Sequence, residues 1–326
     1  MNATVKTKVI GVDIGTHVTT IALVNLRGDV LARDSLITSD FPEVGSFVEA
    51  LSERIVMLAQ NNGGYETIRS VGVSAPSANY LTGSIEHAVN LPWKGVIPMA
   101  ALLRDRIGLA VAVGNNAHAT ALGESLFGTA HGMESFIAIS LGHGGVGSCF
   151  FSKGRAHLGN RGFAGEIGHC CVVPNGRQCR CGRKGCLEEY VSSRGIIKTA
   201  HELLEGSDRP SLMRDIQELT PIAIGECCDK GDELAVEVFR YTGNMLGIGL
   251  ANYASLVNPE AIILTGEQTQ VYKWLAPFIE ESFESHVFHN TKNKVKILVS
   301  TLDNHERDVL GASGLAWTVK EYSLFL

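Results

Sequence analysis

Alternating apolar and polar positions divide the N-terminal part of the chain into short strands. Residues 8–34, KVIGVDIGTHVTTIALVNLRGDVLARD, contain β-rich apolar segments with one glycine turn after Asp13 and a second turn at Arg27-Gly28. Residues 136–154, FIAISLGHGGVGSCFFSKG, repeat this plan with a strand, a glycine-rich turn, a strand and a Lys-Gly turn. Two similar openings in one chain predict two similar lobes.

Longer segments with a helical period alternate with further short strands. Helices are predicted at residues 44–61, 190–204, 220–230, 232–257, 274–286 and 309–319. Strands are predicted at residues 70–74, 110–113, 261–265 and 295–300. Residues 83–95, GSIEHAVNLPWKG, have no regular period, so a loop is expected there, and such loops commonly carry ligand-binding residues.

Length and composition bound the type of protein. A chain of 326 residues has room for about two domains, each large enough to bury a core. No apolar run approaches the roughly 18 residues of a membrane span, so a soluble protein is expected. The net charge of −6 gives no global field that attracts nucleic acid, and no direct nucleic-acid partner is expected. Residues 1–8 are too short and polar for a secretory signal, and thiolates among eight cysteines suit a reducing compartment, which predicts the cytoplasm.

One segment concentrates cysteine, histidine and glycine: residues 165–188, GEIGHCCVVPNGRQCRCGRKGCLE. His169, Cys179, Cys181 and Cys186 supply one imidazole and three thiolates, the ligand set of a closed, tetrahedral zinc site. Glycines between the cysteines let a short loop wrap around one ion. The alternative is a group of free cytosolic cysteines, but the Cys-x-Cys-x4-Cys spacing with a nearby histidine favours a metal.

Four residues beside this zinc knuckle have two interpretations each. Cys170 and Cys171 are competing metal ligands by position, but they are expected to be small buried residues. Glu166 and Glu188 bracket the knuckle, where carboxylate oxygens would accept charge-assisted hydrogen bonds from the hydroxyl groups of a polyol. Alternatively, Glu188 only complements the start of a helix that begins near Leu187.

Turn residues provide further candidates for ligand contacts. Asn90 lies in the irregular loop, and Asn115 and Asn116 open a helix after the strand at 110–113, where simple helix capping is the alternative role. Asp13 is placed to position a metal-bound phosphate at the first turn, with glycine amides around its oxygens, although an ordinary hairpin explains this turn almost as well.

The segments GVDIG, NLPWKG, NNAHATALGE, GFAGEIGH and CRCGRKGCLEEY, in this order and spacing, resemble the ROK family (repressors, open reading frames and kinases), and within it the bacterial glucokinases. The resemblance runs from about Val9 to Trp317. It implies an α/β fold with two actin-like lobes (ribonuclease H-like, of the hexokinase type), a zinc knuckle, an active site in the cleft between the lobes, and a homodimer. It also implies transfer of the ATP γ-phosphate, with Mg²⁺, to a hexose 6-hydroxyl.

The same resemblance sets the expected domains. Residues 1–115 are expected to form an N-terminal α/β lobe to which the helix at 309–319 returns, and residues 116–308 a C-terminal α/β lobe with the knuckle at 169–186. Because the first lobe starts within ten residues, the repressor branch of the family, which carries an added N-terminal DNA-binding domain, is disfavoured.

Carried over position by position, the sugar side of the family pattern is present. The hexose-contacting positions are Asn90, Asn115, Glu166, His169 and Glu188. His169 also matches a zinc ligand, together with Cys179, Cys181 and Cys186. The resemblance therefore implies an intact hexose pocket and a structural zinc ion.

The phosphate-transfer side departs from the family pattern. The family's catalytic aspartate is Asn116 here, and an amide cannot act as a general base near neutral pH; the second asparagine of that motif is His118. The family's Gly-Gly-Thr-Lys turn reads GTHV, its Gly-Thr-Gly loop reads GHG followed by an extra glycine, and its later Gly-Gly reads Gly266-Glu267, which places an anion near the nucleotide. The phosphate- and nucleotide-binding positions implied by the resemblance are Asp13, Gly15, Gly142, Gly144 and Gly266.

These departures rank three functions. Loss of a general base costs typically 10²- to 10⁴-fold in rate, and altered phosphate loops compound it because positioning carries most of phosphoryl transfer. We therefore expect a hexose-binding glucokinase homologue with weak or lost kinase activity. The alternatives are an active ATP-dependent glucokinase, with His118 or a water as proton acceptor, and a sugar-responsive regulator that acts through another protein.

Overall fold

The computed structural model describes residues 6–142, 145–303 and 306–319. Its strands, in chain order, are β1 (Lys8–Ile14), β2 (Val18–Asn25), β3 (Val30–Ile37), β4 (Ile68–Ala75), β5 (Ala78–Asn79), β6 (Ser84–Glu86), β7 (Val96–Ile97), β8 (Ala110–Asn115), β9 (Phe136–Gly142), β10 (Gly145–Ser152), β11 (Arg155–Ala156), β12 (Ala261–Thr265) and β13 (Lys296–Val299). Its helices are α1 (Val44–Asn61), α2 (Met99–Ile107), α3 (Asn116–Phe127), α4 (Glu188–Val191), α5 (Ser193–Glu205), α6 (Pro221–Asp229), α7 (Glu233–Val257), α8 (Tyr272–His286) and α9 (Arg307–Thr318).

The chain forms two compact units. Of the described residues, the first unit contains 6–132, 158–164, 301–303 and 306–319, and the second contains 133–142, 145–157 and 165–300. Helix α9 thus belongs to the first unit, as does α3, although the expected boundary after residue 115 would have placed α3 in the second lobe. The reason is packing: α3 lies against α9, where a Cβ on Gly311 would come within 2.8 Å of the Ala119 carbonyl.

The first unit is built on a five-stranded sheet with the order β3-β2-β1-β4-β8. The hairpins β1–β2 and β2–β3 are antiparallel, whereas β1, β4 and β8 run parallel. The register pairs Asp13 with Ser74 and Ala75 with Asn115. Since carboxyl ends of parallel strands meet at one edge of a sheet, Asp13, Ser74 and Asn115 share that edge, where open α/β sheets bind ligands.

Helices cover both faces of this sheet. On one face, alternate residues of β1 (Ile10, Val12 and Ile14) pack in a core with α1. On the other face, α9 approaches so closely that a Cβ on Gly72 would lie 2.0 Å from the Ala312 carbonyl oxygen. Glycine in β4 therefore allows helix and sheet backbones to touch.

The second unit repeats the plan with a sheet of order β11-β10-β9-β12-β13. Its hairpins β9–β10 and β10–β11 are antiparallel, and β9, β12 and β13 are parallel. The long helices α7 and α8 pack so tightly that no side chain fits at Gly247, where a Cβ would lie only 2.5 Å from Ser282 Cβ. Ile139 of β9, Leu250 of α7 and Phe283 of α8 are buried in its core. The repeated hairpin plan of the sequence is confirmed in both units.

Three features differ from the predicted elements. The single helix predicted at residues 190–204 is two helices, because Ser192 adopts an extended conformation and caps α5 by accepting from the Gly195 amide. The expected loop at residues 83–95 contains β6, which pairs with β5 and β7 in a small sheet. Helix α2 was not predicted, since it is short and lies directly after an irregular, proline-containing stretch.

Candidate functional site

A short turn and a tight loop in the second unit bring the predicted metal ligands together. His169 ends a 3-10 turn, Ile167–His169, and the cysteines lie on a loop closed by the backbone bond from Cys179 N to the Arg183 carbonyl, 2.8 Å. Gly185 has a φ of +76°, and a Cβ there would lie 1.8 Å from the Val173 carbonyl oxygen. Only glycine fits this turn, which sets the spacing before Cys186.

The four side chains form a compact cluster. One ligand atom from each of His169, Cys179, Cys181 and Cys186 lies within 4.8 Å of all the others. Cys179 Sγ is 3.7 Å from His169 Nδ1, and Cys181 Sγ is 3.6 Å from Cys186 Sγ. The edges of a tetrahedral zinc site with Zn–S near 2.3 Å are about 3.6 to 3.8 Å, so the donor set fits a divalent ion of that kind.

Cys170 and Cys171 do not belong to this cluster. Both are exposed, so the expectation that they are buried was wrong. The Cys170 thiol contacts the hydroxyl of Tyr253, which comes from α7, 83 positions along the chain. The thiols of the cluster also differ in acidity: the Arg183 amide lowers the pKa of Cys181 to about 6, whereas burial raises the pKa values of Cys179 and Cys186.

The two carboxylates beside the cluster are placed differently. Glu188 is 7% exposed, and its Oε1 lies 3.3 Å from Cys179 Sγ and 3.8 Å from His169 Nδ1. Glu166 is exposed. Its pKa is nevertheless raised: loss of solvation is the main cause, the charge of His169 acts in the opposite direction, and the negative charge of Glu188 raises the pKa further. Glu188 is also the first residue of α4, which has no side-chain cap, so both interpretations of Glu188 stay compatible with its position.

The junction of β8 and α3 positions two asparagines in the first unit. Asn115 is the N-cap of α3, and its Oδ1 accepts from the His118 amide at 2.9 Å, as the capping interpretation expects. Asn116 is the first residue of the helix and is exposed. His118 is buried against Tyr80, with ring centroids 5.0 Å apart, and burial lowers the pKa of His118 to about 4.

The loop that carries Asn90 is held by its aromatic residue. Trp93 is 4% exposed and donates from its ring nitrogen to the Phe41 carbonyl at 2.9 Å, while its ring packs on Phe47 with centroids 4.4 Å apart. Asn90 itself is exposed. The buried Trp93 therefore anchors the loop, and Asn90 is exposed to solvent.

The predicted phosphate positions lie at strand ends. Asp13 accepts a hydrogen bond from Ser74, which lies beside it near the ends of two parallel neighbouring strands. Ser74 was not among the residues predicted for the site. Burial, reinforced by Asp308, raises the pKa of Asp13 to about 7. Two residues on, Gly15 begins the turn by donating to the Val18 carbonyl at 3.0 Å.

The remaining phosphate positions lie in the second unit. Gly142 ends β9 opposite Gly145, and His143 and Gly144 lie outside the described residues. Gly266 has a φ of +97°, and a Cβ there would lie 2.3 Å from the Leu141 carbonyl oxygen. Glu267 follows directly and opens a 3-10 turn, Glu267–Val271. The glycine is thus required by the packing of β12 on β9, whatever binds nearby.

Comparison with known proteins decides the family. The family model described as ROK family matches residues 9–320. The chain belongs to the ROK family. A glucokinase from Halalkalibacterium halodurans is 30% identical over 322 residues, covering 96% of this chain and 94% of that protein. The DNA-binding transcriptional dual regulator NagC from Escherichia coli is 30% identical over 312 residues, covering 94% of this chain and 74% of that protein.

Solved structures of ROK proteins have the same fold. A ROK family glucokinase from Streptomyces griseus, in complex with glucose and AMPPNP, superposes with a TM-score of 0.75 at 28% identity and covers 96% of this chain and 100% of that one. The two mixed α/β sheets of this ROK protein fit the two-lobed, actin-like kinase fold. Among the helices that the structure describes, none is long and apolar enough to cross a membrane.

Proposed function

We propose that this ROK protein binds a glucose-like hexose and has little or no ATP-dependent hexose 6-phosphorylation activity. The observation that carries the proposal is Asn116, a neutral amide at the exposed first position of α3, where the family pattern has its aspartate base. ROK kinases use ATP and Mg²⁺, and their sugar-contacting residue types are present here. The proposal therefore separates binding, which is kept, from transfer, which is impaired.

The proposed hexose contacts have the chemistry that hydroxyl groups require. Glu166 and Glu188 offer carboxylate oxygens, which accept only, and His169 offers a ring nitrogen. The capping bond of Asn115 uses its Oδ1, so its amide NH₂ is the group directed to a ligand. Asn90 is exposed on an anchored loop. These five residues are proposed as the hexose-binding set.

His118 does not replace the missing base. An imidazole with a pKa of about 4 has little driving force for accepting a proton from a sugar hydroxyl. Its ring is also packed against Tyr80 beneath the surface. Asn116 can orient a hydroxyl through its amide oxygen, but it cannot take the proton near neutral pH. A slow reaction would pass the proton to water.

We propose zinc as the metal of the knuckle. His169, Cys179, Cys181 and Cys186 would hold it, and a zinc ion supplies a fixed, closed coordination that stabilises the loop. Glu188 contacts two of these ligands, so a filled site also fixes the position of that carboxylate. The role is structural, since four protein ligands leave no coordination position for a substrate.

The nucleotide positions fit ATP poorly. If bound, Mg²⁺-ATP supplies the phosphoryl group, and Asp13, Gly15, Gly142 and Gly266 would face its phosphates; Gly144 is proposed with them from the family pattern alone. Asp13 holds a proton until about pH 7, so it is a weak magnesium ligand below that pH. Glu267 adds a carboxylate next to Gly266. Both features weaken phosphate binding.

A kinase assay of the wild type and Asn116→Asp tests the lost transfer. If only the base were missing, Asn116→Asp would raise hexose phosphorylation by roughly 10²-fold or more. We expect almost no increase, because the phosphate positions are altered as well. Fast turnover by the wild type, with an ordinary Michaelis constant for ATP, would show that the protein is a working glucokinase.

Calorimetry with a panel of hexoses tests the binding. Glu166→Gln should weaken glucose binding about tenfold, because a charged acceptor of hydroxyl groups becomes a neutral amide. Glu205→Gln, an exposed substitution at the end of α5, is the matched control and should leave the affinity unchanged. Absence of binding for every hexose at millimolar concentration would refute the proposal.

A sugar-responsive regulator is the second candidate, favoured by the 30% identity to NagC over 94% of this chain. It shares the proposed hexose site and differs in needing a partner protein. We also propose, from the family resemblance, a homodimer in the cytoplasm. Light scattering of the purified protein with and without hexose tests the dimer, and a mass of one chain in both states would exclude it.

A further inference from the structure

A short segment of the chain leaves the second unit and belongs to the first. We call residues Leu158–Ala164 the strap: they are part of the first unit, while His157 before them and Gly165 after them are part of the second. The strap closes on itself through the bond from Ala164 N to the Leu158 carbonyl, 3.1 Å. Glu166, a proposed hexose ligand, comes two residues after the strap.

One buried side chain of the first unit holds the strap. Asn79 of β5 is 3% exposed and donates from Nδ2 to the Arg161 carbonyl at 2.9 Å, while its Oδ1 accepts from the Leu81 amide at 3.0 Å. Gly162 packs directly on it, since a Cβ there would lie 2.3 Å from Asn79 Oδ1. Both the nitrogen and the oxygen of the Asn79 side-chain amide are therefore hydrogen-bonded, and there is no room for a side chain at Gly162.

The second unit fixes the chain on the other side of the link. Ser148 of β10 donates from Oγ to the Gly165 carbonyl, and a Cβ on Gly165 would lie 2.8 Å from the Ser148 carbonyl oxygen. The two anchored segments are thus joined by one peptide bond, between Ala164 and Gly165. Gly165 has a φ of +98°, a conformation that suits glycine.

The carboxylate of Glu166 depends on this backbone. In the described part of the chain, its side-chain oxygens accept no hydrogen bond, and the side chain is exposed. Its position is therefore set by the main chain that carries it. We propose that Asn79 is a positioning residue for the hexose site, acting on Glu166 through the strap; this inference rests on the proposed function.

Hydrogen exchange without any sugar gives the first test. In Asn79→Asp, which loses the donor to Arg161, exchange should rise about tenfold in the strap and also at the amides of Ile167 and His169, the size expected for one lost buried hydrogen bond. Gly162→Ala disturbs the same contact from the strap side and should act alike, so the test does not depend on one variant folding. Tyr80→Phe, which removes a hydroxyl bonded to Thr318 and leaves the contacts of the neighbouring Asn79 in place, is the control and should change neither region.

Glucose calorimetry gives the second test. Asn79→Asp should weaken binding about tenfold in the wild type but less than about twofold in Glu166→Gln, because residues acting through one group are not additive. Equal effects in both backgrounds, or faster exchange confined to the strap, would overturn the proposal. If the wild type binds no hexose, the proposed function fails, and the exchange measurement alone decides whether Asn79 fixes the chain at Glu166.

Discussion

At the scale of single residues, the candidate site contains groups whose ionisation depends on burial. The most affected carboxyl group is Asp13, with a pKa of about 7 instead of 3.8, because it is buried and faces the negative charge of Asp308, while the bond from Ser74 opposes the shift. A carboxyl group with so high a pKa, at the carboxyl ends of parallel strands, is more often a feature of function than of stability. Its effect on folding can be measured.

Asp13→Asn should stabilise the protein at alkaline pH. The folded state binds the Asp13 proton up to about pH 7 but the unfolded state only up to its ordinary value of 3.8, so the wild type loses stability as pH rises through this range. Chemical denaturation should show an advantage of the variant that grows by roughly 2 to 3 kcal/mol from about pH 5 to about pH 8.

The control for this prediction is Asp105→Asn, because the side chain of Asp105 is 67% exposed and pairs with the neighbouring Arg104 on the surface. Its effect should stay within about 0.5 kcal/mol at both pH values. If the Asp13 variant has the same advantage at both pH values, the folded-state pKa of Asp13 is not raised.

The proposed metal ligands form a cluster that the sequence alone indicates. His169, Cys179, Cys181 and Cys186 are recognised from type and spacing, and the structure brings their ligand atoms within 4.8 Å of one another. The contact of Cys170 with Tyr253 was not predictable, because the two residues are 83 positions apart in the sequence. Local patterns identify sites made by one loop, whereas contacts between distant segments require the fold.

At the scale of secondary structure, close backbone contact organises the first unit. The helix predicted at residues 44–61 is confirmed as Val44–Asn61, and the strand predicted at 261–265 as Ala261–Thr265, because strong periodicity and clear boundaries define both. The sequence did not indicate that α9 would lie directly on β1 and β4. That contact depends on Gly11 and Gly72, which align only when the sheet forms.

Gly72→Ala should therefore separate α9 from the sheet. The new Cβ would lie 2.0 Å from the Ala312 carbonyl oxygen, a backbone atom that cannot rotate away, so we expect a loss of about 2 to 3 kcal/mol in the free energy of unfolding. Gly45→Ala in α1 is the control: nothing lies within 4 Å, and alanine should stabilise that helix by about 0.5 to 1 kcal/mol. Equal, small effects from both variants would show that the backbones of α9 and the sheet are not in direct contact.

At the scale of the whole molecule, the two units use the same sheet plan with different additions. The order of a hairpin followed by parallel strands recurs in both, and it was predictable from the two similar openings of the sequence. Their additions differ in this respect: the small sheet of β5, β6 and β7 in the first unit was not predicted, whereas the histidine and cysteine cluster of the second unit was indicated by its residue types and spacing. The metal should therefore act on one unit only.

Metal removal should destabilise the second unit selectively. One zinc ion per chain is expected by elemental analysis, and chelation or Cys181→Ser should speed hydrogen exchange in β9 and α7 while β4 and α1 keep their protection. The reason is that metal binding contributes to the folding of the segment that supplies its ligands, and all four ligands lie in the second unit. Cys171→Ser, at an exposed thiol outside the cluster, is the matched control and should change neither metal content nor exchange. A well-folded, metal-free protein with unchanged exchange throughout would show that the cluster consists of free cysteines and that the loop is held by its backbone bonds alone.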